Sequence, residues 1–590
     1  MTTYSPPLDH MHTILAPMLD SLAKLPGYEE VDGELVDQVL EEAGKFASGA
    51  LAPLNAVGDR QGAVLENGVV RTPDGFKEAY GQFVESGWNG LPFPEEWGGQ
   101  GLPWTVSTAV SEMWHSANTA FSLCPLLTQA GIELLLKFGT DEQKAIYLEK
   151  LTTGEWTGTM CLTEPHAGTD VGALKTKAEK EGDHYRITGT KIFITYGDHD
   201  YTDNVIHMVL ARTPGAPAGT KGISLFIVPK FLVNEDGSRG DRNDLRPVSL
   251  EHKLGIHASP TCVMSFGDND GAIGYLIGEE QGGMKAMFTM MNNARLAVGL
   301  QGLAIAERAA QTAELYAGER VQGMRRSNGT MEPAKIADFP DIRRTLMSMR
   351  CRIEAMRALT YEGAFYLDHA AKLPAGPEQK AAQTRIDLLI PLIKAWCSDT
   401  GFEIASDAVQ IHGGMGFIEE TGIAQHLRDA RIAMIYEGTN GIQALDLVGR
   451  KLPADNGNHV ALLFDELQSD LDSLDDGPIK AGLGAALETL RDATAWITDE
   501  TQALDDRMAG ATPYLRLFAT TLGGFLLVRS AVDARPAVDA RPEGEARPEG
   551  EARPEGEASA LFYIQHILPP ATALTAAVKA GVAPEVLKAG

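Results

Sequence analysis

The spacing of apolar residues changes twice along the chain, and this limits the folds that the sequence can adopt. In the first 156 residues apolar side chains recur every three or four positions, as at Val36, Leu40 and Ala43, which is typical of helices with one buried face. Short β-prone runs follow, at residues 184–189, 191–195 and 223–228. Helical spacing returns from Met284 onward. The order helical, β, helical predicts several domains, each with its own core.

The length of the chain sets the number of domains. At 590 residues it is too long for one hydrophobic core and long enough for three or four domains. We predict a multidomain α fold with a central β domain: an N-terminal helical domain (1–157), a middle β domain (158–285), a C-terminal four-helix bundle (286–452) and an additional helical domain (453–590). The predicted bundle helices cover residues 296–320, 346–366, 384–412 and 439–451.

A low-complexity insert interrupts the last domain at residues 533–557. Within it the sequence Glu-Ala-Arg-Pro-Glu-Gly recurs, with prolines at Pro542, Pro548 and Pro554. Its small and charged side chains offer nothing to bury. The insert is therefore predicted to be a disordered loop without a catalytic role.

The charge balance disfavours several classes of partner. The chain has 80 acidic against 51 basic residues and a formal net charge of -29 at pH 7, so its surface repels nucleic-acid phosphates and anionic headgroups on average. No stretch approaches the roughly 18 consecutive apolar residues of a spanning helix. The first basic residue is Lys24, so no export signal is expected. We predict a soluble cytoplasmic protein with neither nucleic acid nor a membrane as partner.

Metal and Rossmann sites are also disfavoured. The five cysteines form an odd set without a C-x-x-C pair, which is typical of reduced thiols. The histidines lack paired ligand spacing for zinc, so no metal is expected. Gly414 and Gly416 have no third glycine at the spacing of a dinucleotide-binding loop, and they follow a helix instead of a strand.

Residues 160–170 (MCLTEPHAGTD) form a polar segment at the start of the predicted β domain. Threonine hydroxyls and glycine-exposed amides can donate hydrogen bonds to the heteroatoms of a flat heterocycle. By composition alone, a plain connecting loop is the more common use of such a segment.

The same segment resembles the C-x-T-E-P-x-A-G-S-D signature of the acyl-CoA dehydrogenase family, with Thr169 in place of the serine. The family also has the order helical, β, helix bundle, and the resemblance covers roughly residues 30 to 450. Four further family-like segments follow in order: residues 191–195 (KIFIT), 319–320 (ER), 410–417 (QIHGGMGF) and 436–439 (YEGT).

The resemblance implies FAD as the cofactor. Phe193, where many members of the family have tryptophan, would cover one face of the flavin and keep the stacking. Thr195 would hydrogen-bond near flavin N5. The family often has glutamine where this chain has Gly441, so one side-chain contact to FAD is expected to be missing. The implied FAD contacts are Met160, Cys161, Leu162, Thr163, Thr169, Phe193, Ile194, Thr195, Arg320, Gln322, Gln410, Gly413, Gly414, Thr439 and Gly441.

The resemblance also implies a homo-oligomer, a dimer or a tetramer. In the family, the contacts that correspond to Arg320 and to residues 410–414 cross a subunit interface to FAD. A permanently charged guanidinium suits a pyrophosphate. Without the family pattern, Arg320 would be a solvated cation stabilised by the dipole at a helix end.

Glu437 is the implied catalytic base. Removal of an α-proton from a thioester needs a carboxylate in an apolar pocket, where desolvation makes a carboxylate more basic. Some relatives keep this base immediately before the arginine that corresponds to Arg295. In this chain that position is Ala294, which cannot accept a proton.

The implied reaction is α-proton abstraction by Glu437 with β-hydride transfer to flavin N5, which forms a trans-2-enoyl-CoA. Electrons would then pass to an electron-transfer flavoprotein. The implied substrate contacts are Thr169, Asn292, Arg295, Tyr436 and Gly438; ordinary capping and surface pairing would equally explain Asn292 and Arg295.

Residues 253–261 and 290–295 resemble a large bacterial branch of the family, for which 3-(methylthio)propionyl-CoA is the expected substrate. The alternative substrate is a medium- or long-chain fatty acyl-CoA. The alternative activity is that of an acyl-CoA oxidase, in which O₂ reaches the reduced flavin. A flavin-containing DNA-binding protein is a remote alternative, which the charge of -29 disfavours.

Overall fold

The computed structural model describes residues 4–327, 329–533 and 555–582. The chain forms two compact units. The helical unit consists of Met1–Gly44, Trp104–Ser116 and Val298–Gly590, and the sheet unit consists of Lys45–Pro103 and Ala117–Ala297. The predicted domain boundaries at residues 157, 285 and 452 stay predictions.

Helices and one small hairpin make up the N-terminal part. The second helix buries Val36, Leu40 and Ala43, the face that the sequence predicts. A capping box between Thr140 and Gln143 begins the sixth helix, because each side chain accepts from the other residue's backbone N–H. The elements are α1 (Leu8–Leu22), α2 (Gly33–Phe46), α3 (Ala52–Gln61), β1 (Val64–Glu66), β2 (Val69–Arg71), α4 (Phe76–Glu85), α5 (Trp104–Phe138) and α6 (Asp141–Thr152).

An eight-stranded sheet dominates the rest of the sheet unit. Its strands, with the small hairpin β8–β9, are β3 (Thr157–Cys161), β4 (Lys177–Glu181), β5 (His184–Thr195), β6 (Val205–Arg212), β7 (Ile223–Pro229), β8 (Phe231–Val233), β9 (Arg239–Arg242), β10 (Leu245–Leu250), β11 (Thr261–Phe266) and β12 (Ala272–Leu276). The order is β10-β11-β5-β12-β7-β6-β3, and β4 pairs with β5. Paired strands are antiparallel, except that both β3 and β4 pair with β6 in parallel, and Ile187, Ile194 and Phe226 lie in the core.

Long helices begin again at Gly283. The elements are α7 (Gly283–Glu319), β13 (Val321–Ser327), β14 (Thr330–Lys335), α8 (Pro340–Lys372), α9 (Pro377–His412), α10 (Ile423–Ala430) and α11 (Asn440–Asp446). Two glycines in the helical unit let α7 and α9 touch. A Cβ on Gly302 would lie 2.3 Å from Cys397 O, and one on Gly401 would lie 2.2 Å from Gly302 O. Only glycine fits at this crossing.

The C-terminal elements complete the helical unit. They are α12 (Asn458–Ser473), α13 (Pro478–Thr498), α14 (Leu504–Ala509), α15 (Ala511–Asp533), α16 (Glu555–Phe562), α17 (Leu568–Thr572) and α18 (Thr575–Lys579). The fold class is confirmed, with helical parts, a central sheet and an additional C-terminal helical part. The predicted fourth bundle helix (residues 439–451) is confirmed as a helical segment from Asn440 to Lys451, in which a π-helical turn at Leu447–Lys451 continues α11. Helix α15 packs against both α8 and α9.

Most of the predicted loop at residues 533–557 lies outside the described residues. Its two edges are described, and there the prediction is wrong: α15 ends at Asp533, and α16 begins at Glu555. Apolar side chains continue the helical pattern on both sides of the repeat, which explains why the helices extend into its first and last residues.

Three helices of the described chain are long and apolar enough to cross a membrane by length and composition: Trp104–Phe138, Ala511–Val532 and Gly556–Lys579. The most apolar windows of the first two are 83% and 72% buried, whereas that of the third is 28% buried. Burial in a protein core accounts for the apolar character of the first two. The absence of a membrane partner stays a prediction.

Candidate active site

Two of the predicted cofactor segments meet in the sheet unit. Residues 160–163 leave β3 and run beside β5, where Ile192 N donates to Thr163 O at 2.9 Å. Lys191 Nζ donates to Leu162 O, also at 2.9 Å. The structure therefore brings together segments that lie about 30 positions apart in the sequence. Of the predicted contacts here, Met160 and Cys161 are buried, Leu162 and Thr163 are half-buried, and Thr169 is exposed.

Glu164 fixes this segment from the inside. Its side chain is 3% exposed and accepts hydrogen bonds from Lys175 N at 2.7 Å, Thr176 Oγ1 at 2.6 Å and Lys191 Nζ at 2.9 Å. Burial opposes ionisation of the carboxyl group, but Lys191 and the hydrogen-bond donors outweigh burial and lower the pKa of Glu164 to about 2. The ion pair ties the segment at residues 160–164 to β5, a role that the sequence did not reveal.

Phe193 presents an aromatic ring to solvent from inside β5. Its side chain is 58% exposed, and its φ of 61° lies in the left-handed region, which is uncommon for a residue with a Cβ. The next residue, Ile194, is buried in the core, and Thr195 is half-buried opposite Thr261 of β11. An exposed ring on strained backbone, two positions before Thr195, fits the face of a flat heterocycle such as a flavin.

The ends of α7 and α9 meet in the helical unit. Tyr316 stacks on His412 with ring centroids 4.3 Å apart. Arg320, just after α7, is exposed, and its Nη2 donates to Gln322 Oε1 at 3.4 Å. Gln410 lies in the last turn of α9. Gln410, Gly413 and Gly414 are exposed. The exposed guanidinium and side-chain amides can bind an anionic group.

Glu437 lies in a short loop between α10 and α11, which we call the base loop (residues 435–439). Glu437 is half-buried and has φ 56°, and Gly438 follows with φ 85°. Left-handed backbone at a glutamate is strained, so the surrounding contacts must hold it. Before Glu437, the Tyr436 hydroxyl donates to Gln301 Oε1 of α7. After it, Thr439 and Gly441 are exposed.

Two amide side chains, the half-buried Asn440 and the buried Gln443, hold the other end of the base loop. Asn440 Oδ1 accepts from Lys394 Nζ of α9 at 2.7 Å, and its Nδ2 donates to Ser398 Oγ at 2.9 Å. Gln443 of α11 donates to the backbone carbonyls of Glu437 and Gly438. Neither residue was predicted from the sequence, because nothing in the local pattern separates them from other polar residues of a helix.

The predicted substrate contacts on α7 lie in the sheet unit. Asn292 is half-buried and Arg295 is 7% exposed, which disfavours the alternative of surface pairing for Arg295. Their neighbour Asn293 donates to Glu133 Oε2 of α5 at 3.0 Å. Burial raises the pKa of Glu133 to about 7, although Asn293 lowers it in part. Glu133 and Asn293 are both half-buried, and their pairing was not predicted from the sequence.

The predicted site residues thus fall into two groups, one in each unit. In the sheet unit, contacts join residues 160–164 to β5. In the helical unit, contacts join the ends of α7 and α9, and others hold the base loop against both helices. Their roles toward FAD and acyl-CoA stay predictions. Within the described ranges, no cluster of three or more His, Cys, Asp or Glu side chains could hold a metal ion.

Comparison with known proteins gives family models that match the chain in order. They are Acyl-CoA dehydrogenase, N-terminal domain (residues 35–155), middle domain (159–269) and C-terminal domain (281–452), followed by Acetyl-CoA dehydrogenase C-terminal like (463–585).

Individual proteins are similar over most of the chain. The 3-methylmercaptopropionyl-CoA dehydrogenase of Ruegeria pomeroyi is 46% identical over 86% of this chain and 87% of that protein. A solved structure described as the electron transferring flavoprotein of Acidaminococcus fermentans is 29% identical, with a TM-score of 0.59, over 71% of this chain and 98% of that chain. An acyl-CoA dehydrogenase complexed with FAD from Bacillus anthracis has a TM-score of 0.74 over 96% of this chain and 92% of that one; at 23% identity it shows the fold alone.

Proposed function

We propose, from the premise that this chain belongs to the acyl-CoA dehydrogenase family, that Glu437 is the base that removes the α-proton of its substrate. As a member of that family, the chain is an FAD-dependent oxidoreductase that acts on acyl-CoA thioesters. The observation that carries the proposal is the base loop, which holds a glutamate in a strained left-handed conformation. Such strain persists only where the surrounding contacts impose it, and it is frequent at active sites.

The residues of the sheet unit fit FAD. Bound FAD supplies the acceptor for the β-hydrogen, so the product is a trans-2-enoyl-CoA. Phe193 offers an exposed ring face for stacking. Thr163 and Thr195 offer hydroxyls, and the ion pair of Glu164 with Lys191 keeps residues 160–164 against β5.

Glu437 has no competitor at the position where some relatives keep the base. A general base must come within hydrogen-bond reach of the proton that it accepts, so its placement decides the rate. Ala294, the alternative position for the base in some relatives, has no ionisable group. A carboxylate at Glu437 takes the proton from Cα and leaves negative charge on the thioester oxygen, which backbone N–H groups can stabilise.

We further propose 3-(methylthio)propionyl-CoA as the substrate. The Ruegeria pomeroyi relative, 46% identical over 86% of this chain, is named for that substrate under its older name. Arg295 and Asn292 are the proposed contacts for the CoA moiety. An electron-transfer flavoprotein is the proposed electron acceptor, and a structure of that description is among the similar ones. A cytoplasmic location stays a prediction.

The proposed homo-oligomer has support from an exposed apolar cluster. Phe417 is 87% exposed, and its neighbours Met415 and Ile418 are also exposed. These side chains follow the residues that the family pattern places at a subunit interface. We expect sedimentation velocity to show a dimer or a tetramer, and Phe417→Asp to lower the assembly state. A wild-type monomer at micromolar concentration would contradict this.

A set of acyl-CoA thioesters tests the substrate. Pentanoyl-CoA is the matched control, because it replaces the thioether sulfur of 3-(methylthio)propionyl-CoA with a methylene. Rates of anaerobic flavin bleaching are compared for these two and for octanoyl-CoA and palmitoyl-CoA. We expect 3-(methylthio)propionyl-CoA to bleach the flavin at least as fast as pentanoyl-CoA does. Octanoyl-CoA and palmitoyl-CoA should bleach it more slowly, by about tenfold or more. Preference for palmitoyl-CoA would contradict the proposal, and rapid O₂ uptake during turnover would identify an oxidase.

A further inference from the structure

Gln443 is a buried polar residue that touches the base loop from α11. Its side chain is 1% exposed. Its Nε2 lies 3.2 Å from Glu437 O and 3.3 Å from Gly438 O. Both partners are carbonyl oxygens, which only accept hydrogen bonds, so the atom that faces them must be the amide nitrogen. One side chain therefore binds two successive backbone groups of the base loop.

These two hydrogen bonds fix the backbone on the C-terminal side of Glu437. The carbonyl of Glu437 sets its ψ angle, and the carbonyl of Gly438 sets the orientation of the next peptide plane. Glu437 has φ 56° and Gly438 has φ 85°. A glutamate leaves the left-handed region readily unless neighbours hold it there. Gln443 binds the peptide planes that follow the strained Glu437 and its neighbour Gly438.

Helix α11 is itself anchored, so Gln443 works from a fixed position. Asn440, its first residue, accepts from Lys394 Nζ at 2.7 Å and donates to Ser398 Oγ at 2.9 Å and to Asp399 Oδ1 at 2.6 Å. Lys394 and Ser398 are fully buried in α9. A continuous set of contacts thus leads from α9 through Asn440 and Gln443 to the backbone of Glu437.

Stability alone does not explain a glutamine at this position. In the part of the chain that the structure describes, Gln443 Oε1 is buried without a hydrogen-bond partner. A buried acceptor that loses water and gains no partner disfavours the folded state. The contribution of this amide therefore lies in the two hydrogen bonds that its Nε2 donates to the base loop.

We propose that Gln443 is a positioning residue that holds the backbone of Glu437 so that its carboxylate reaches the α-proton. This inference rests on the proposed role of Glu437 as the base. Gln443 touches neither substrate nor cofactor in this proposal. It acts only through the conformation of the base loop, so its loss should slow proton transfer and leave binding intact.

The test compares four variants of the full-length, FAD-loaded enzyme. Gln443→Met keeps the side-chain length and removes both hydrogen bonds, and Gln443→Asn keeps the amide but shortens its reach. Gln379→Met is the matched control, because Gln379 Nε2 also donates to a backbone carbonyl, that of Ala370, at 2.9 Å. Glu437→Gln removes the base itself. Each variant is mixed anaerobically with 3-(methylthio)propionyl-CoA and with its 2,2-dideuterated form, and flavin reduction is followed in a single turnover.

We expect Gln443→Met to slow flavin reduction about 10- to 100-fold, because small displacements of a catalytic group have effects of this size. The α-deuterium isotope effect should rise, while the Kd for acyl-CoA and the midpoint of thermal unfolding stay close to those of wild type. The rate of flavin reduction and the isotope effect of Gln443→Asn should change in the same direction. If Gln443→Met does not fold, the result with Gln443→Asn tests the inference. Gln379→Met should match wild type.

Two results would overturn the inference. One is reduction at the wild-type rate by the folded Gln443 variants; the other is a slower rate accompanied by equally weaker acyl-CoA binding and an unchanged isotope effect. The Glu437→Gln variant shows whether a failure concerns only the positioning role of Gln443 or the proposed role of Glu437 as the base. If Glu437→Gln is inactive while the Gln443 variants are normal, only the positioning role is wrong. If Glu437→Gln is itself active, the proposed base is wrong.

Discussion

At the scale of single residues, Phe193 and Glu437 have the same unusual property. Both have a Cβ and a left-handed φ, at 61° and 56°. Each such residue costs on the order of 1–2 kcal/mol relative to ordinary backbone. Buried neighbours hold both in place: Ile194 and Tyr196 lie in the sheet unit beside Phe193, and Gln443 lies in the helical unit beside Glu437. Strain of this kind marks positions where the side chain has to point in a set direction.

Phe193→Ala should weaken FAD binding by up to about tenfold, because aromatic stacking contributes about 0.5–1.5 kcal/mol. The thermal midpoint of the FAD-free protein should not fall, because Phe193 is 58% exposed and its ring buries little apolar surface in the folded protein. Phe193→Trp is the control, and it should bind FAD at least as well as wild type. FAD titration followed by flavin fluorescence measures the affinity. Equal affinity in Phe193→Ala would show that the ring does not contact the cofactor.

The sequence predicted residues that have a family motif and missed those whose role depends on packing. Glu437 and Thr163 belong to short motifs, so their position along the chain was enough. Gln443 acts on a loop six positions away, through an orientation that only the folded helix defines. The pair of Glu133 and Asn293 joins α5 to α7 across 160 positions, and neither residue stands out in its own helix.

At the scale of elements, the pair of Glu164 and Lys191 joins the loop after β3 to strand β5. Glu164 is 3% exposed, Lys191 is fully buried, and 2.9 Å separates Glu164 Oε1 from Lys191 Nζ. Removing one partner of such a pair leaves an uncompensated buried charge, which costs about 3–5 kcal/mol. Removing both partners costs much less. The geometry of residues 160–164 therefore depends on a charge pair that lies behind the exposed face of the loop.

Glu164→Gln should lower the thermal midpoint by several degrees and promote loss of FAD, because Lys191 stays buried without a counter-charge. The double variant Glu164→Gln with Lys191→Met is the control, and it should recover most of the loss. Thermal unfolding at pH 7, with FAD release followed in parallel, measures both effects. A single variant as stable as wild type would show that the pair contributes nothing.

The same pair gives a pH dependence. The pKa of Glu164 falls from an ordinary 4.5 to about 2 in the folded state. A depressed carboxyl pKa stabilises the fold above the unfolded value, so this contribution is present above about pH 4.5 and is lost as pH falls toward 2. Wild type should lose stability over this interval more steeply than the double variant, as acid titration of unfolding can measure. If wild type and the double variant lose stability equally between about pH 4.5 and 2, the assigned ion pair is contradicted.

Local periodicity predicted most elements, and it failed where distant contacts decide. Residues 184–189 and 191–195 looked like two runs, but Gly189 and Thr190 both pair with β11, so β5 is continuous. The hairpin β13–β14 was not predicted, because its exposed, charged strands lack the alternation of a half-buried strand. The segment predicted as a helix at residues 439–451 is helical from Asn440 to Lys451, but its change from α-helix to π-helix at Leu447 was not predicted.

At the scale of the whole molecule, the order helical, sheet, helical was predictable because each part has a different apolar period. The packing of α15 on α8 and α9 was not predictable, because it joins segments that are about 100 or more positions apart. The repeat occupies residues 540–557 in three copies. The first two copies, at residues 540–551, lie between α15 and α16 in the sequence and lack apolar side chains beyond alanine and proline. These residues therefore have nothing to contribute to a hydrophobic core.

Deleting residues 540–551, two copies of the repeat Ala-Arg-Pro-Glu-Gly-Glu, should leave turnover, FAD content and thermal midpoint at wild-type values. Steady-state rates with the best acyl-CoA substrate and a flavin absorbance ratio measure the first two. Replacing the same residues with a Gly-Ser segment of equal length separates length from composition. Loss of flavin in both variants would show that the repeat contributes to the folded enzyme.

Anaerobic flavin reduction by Glu437→Gln is the most direct test of the proposed chemistry. Glutamine keeps the volume of the side chain and removes its ability to accept a proton, and Ala294 offers no substitute. We expect the single-turnover rate to fall by at least about 10²–10⁴-fold, with FAD content and acyl-CoA binding nearly unchanged. Glu420→Gln, an exposed glutamate before α10, should reduce its flavin at the wild-type rate. If Glu437→Gln reduces its flavin within a few-fold of wild type, another group is the base.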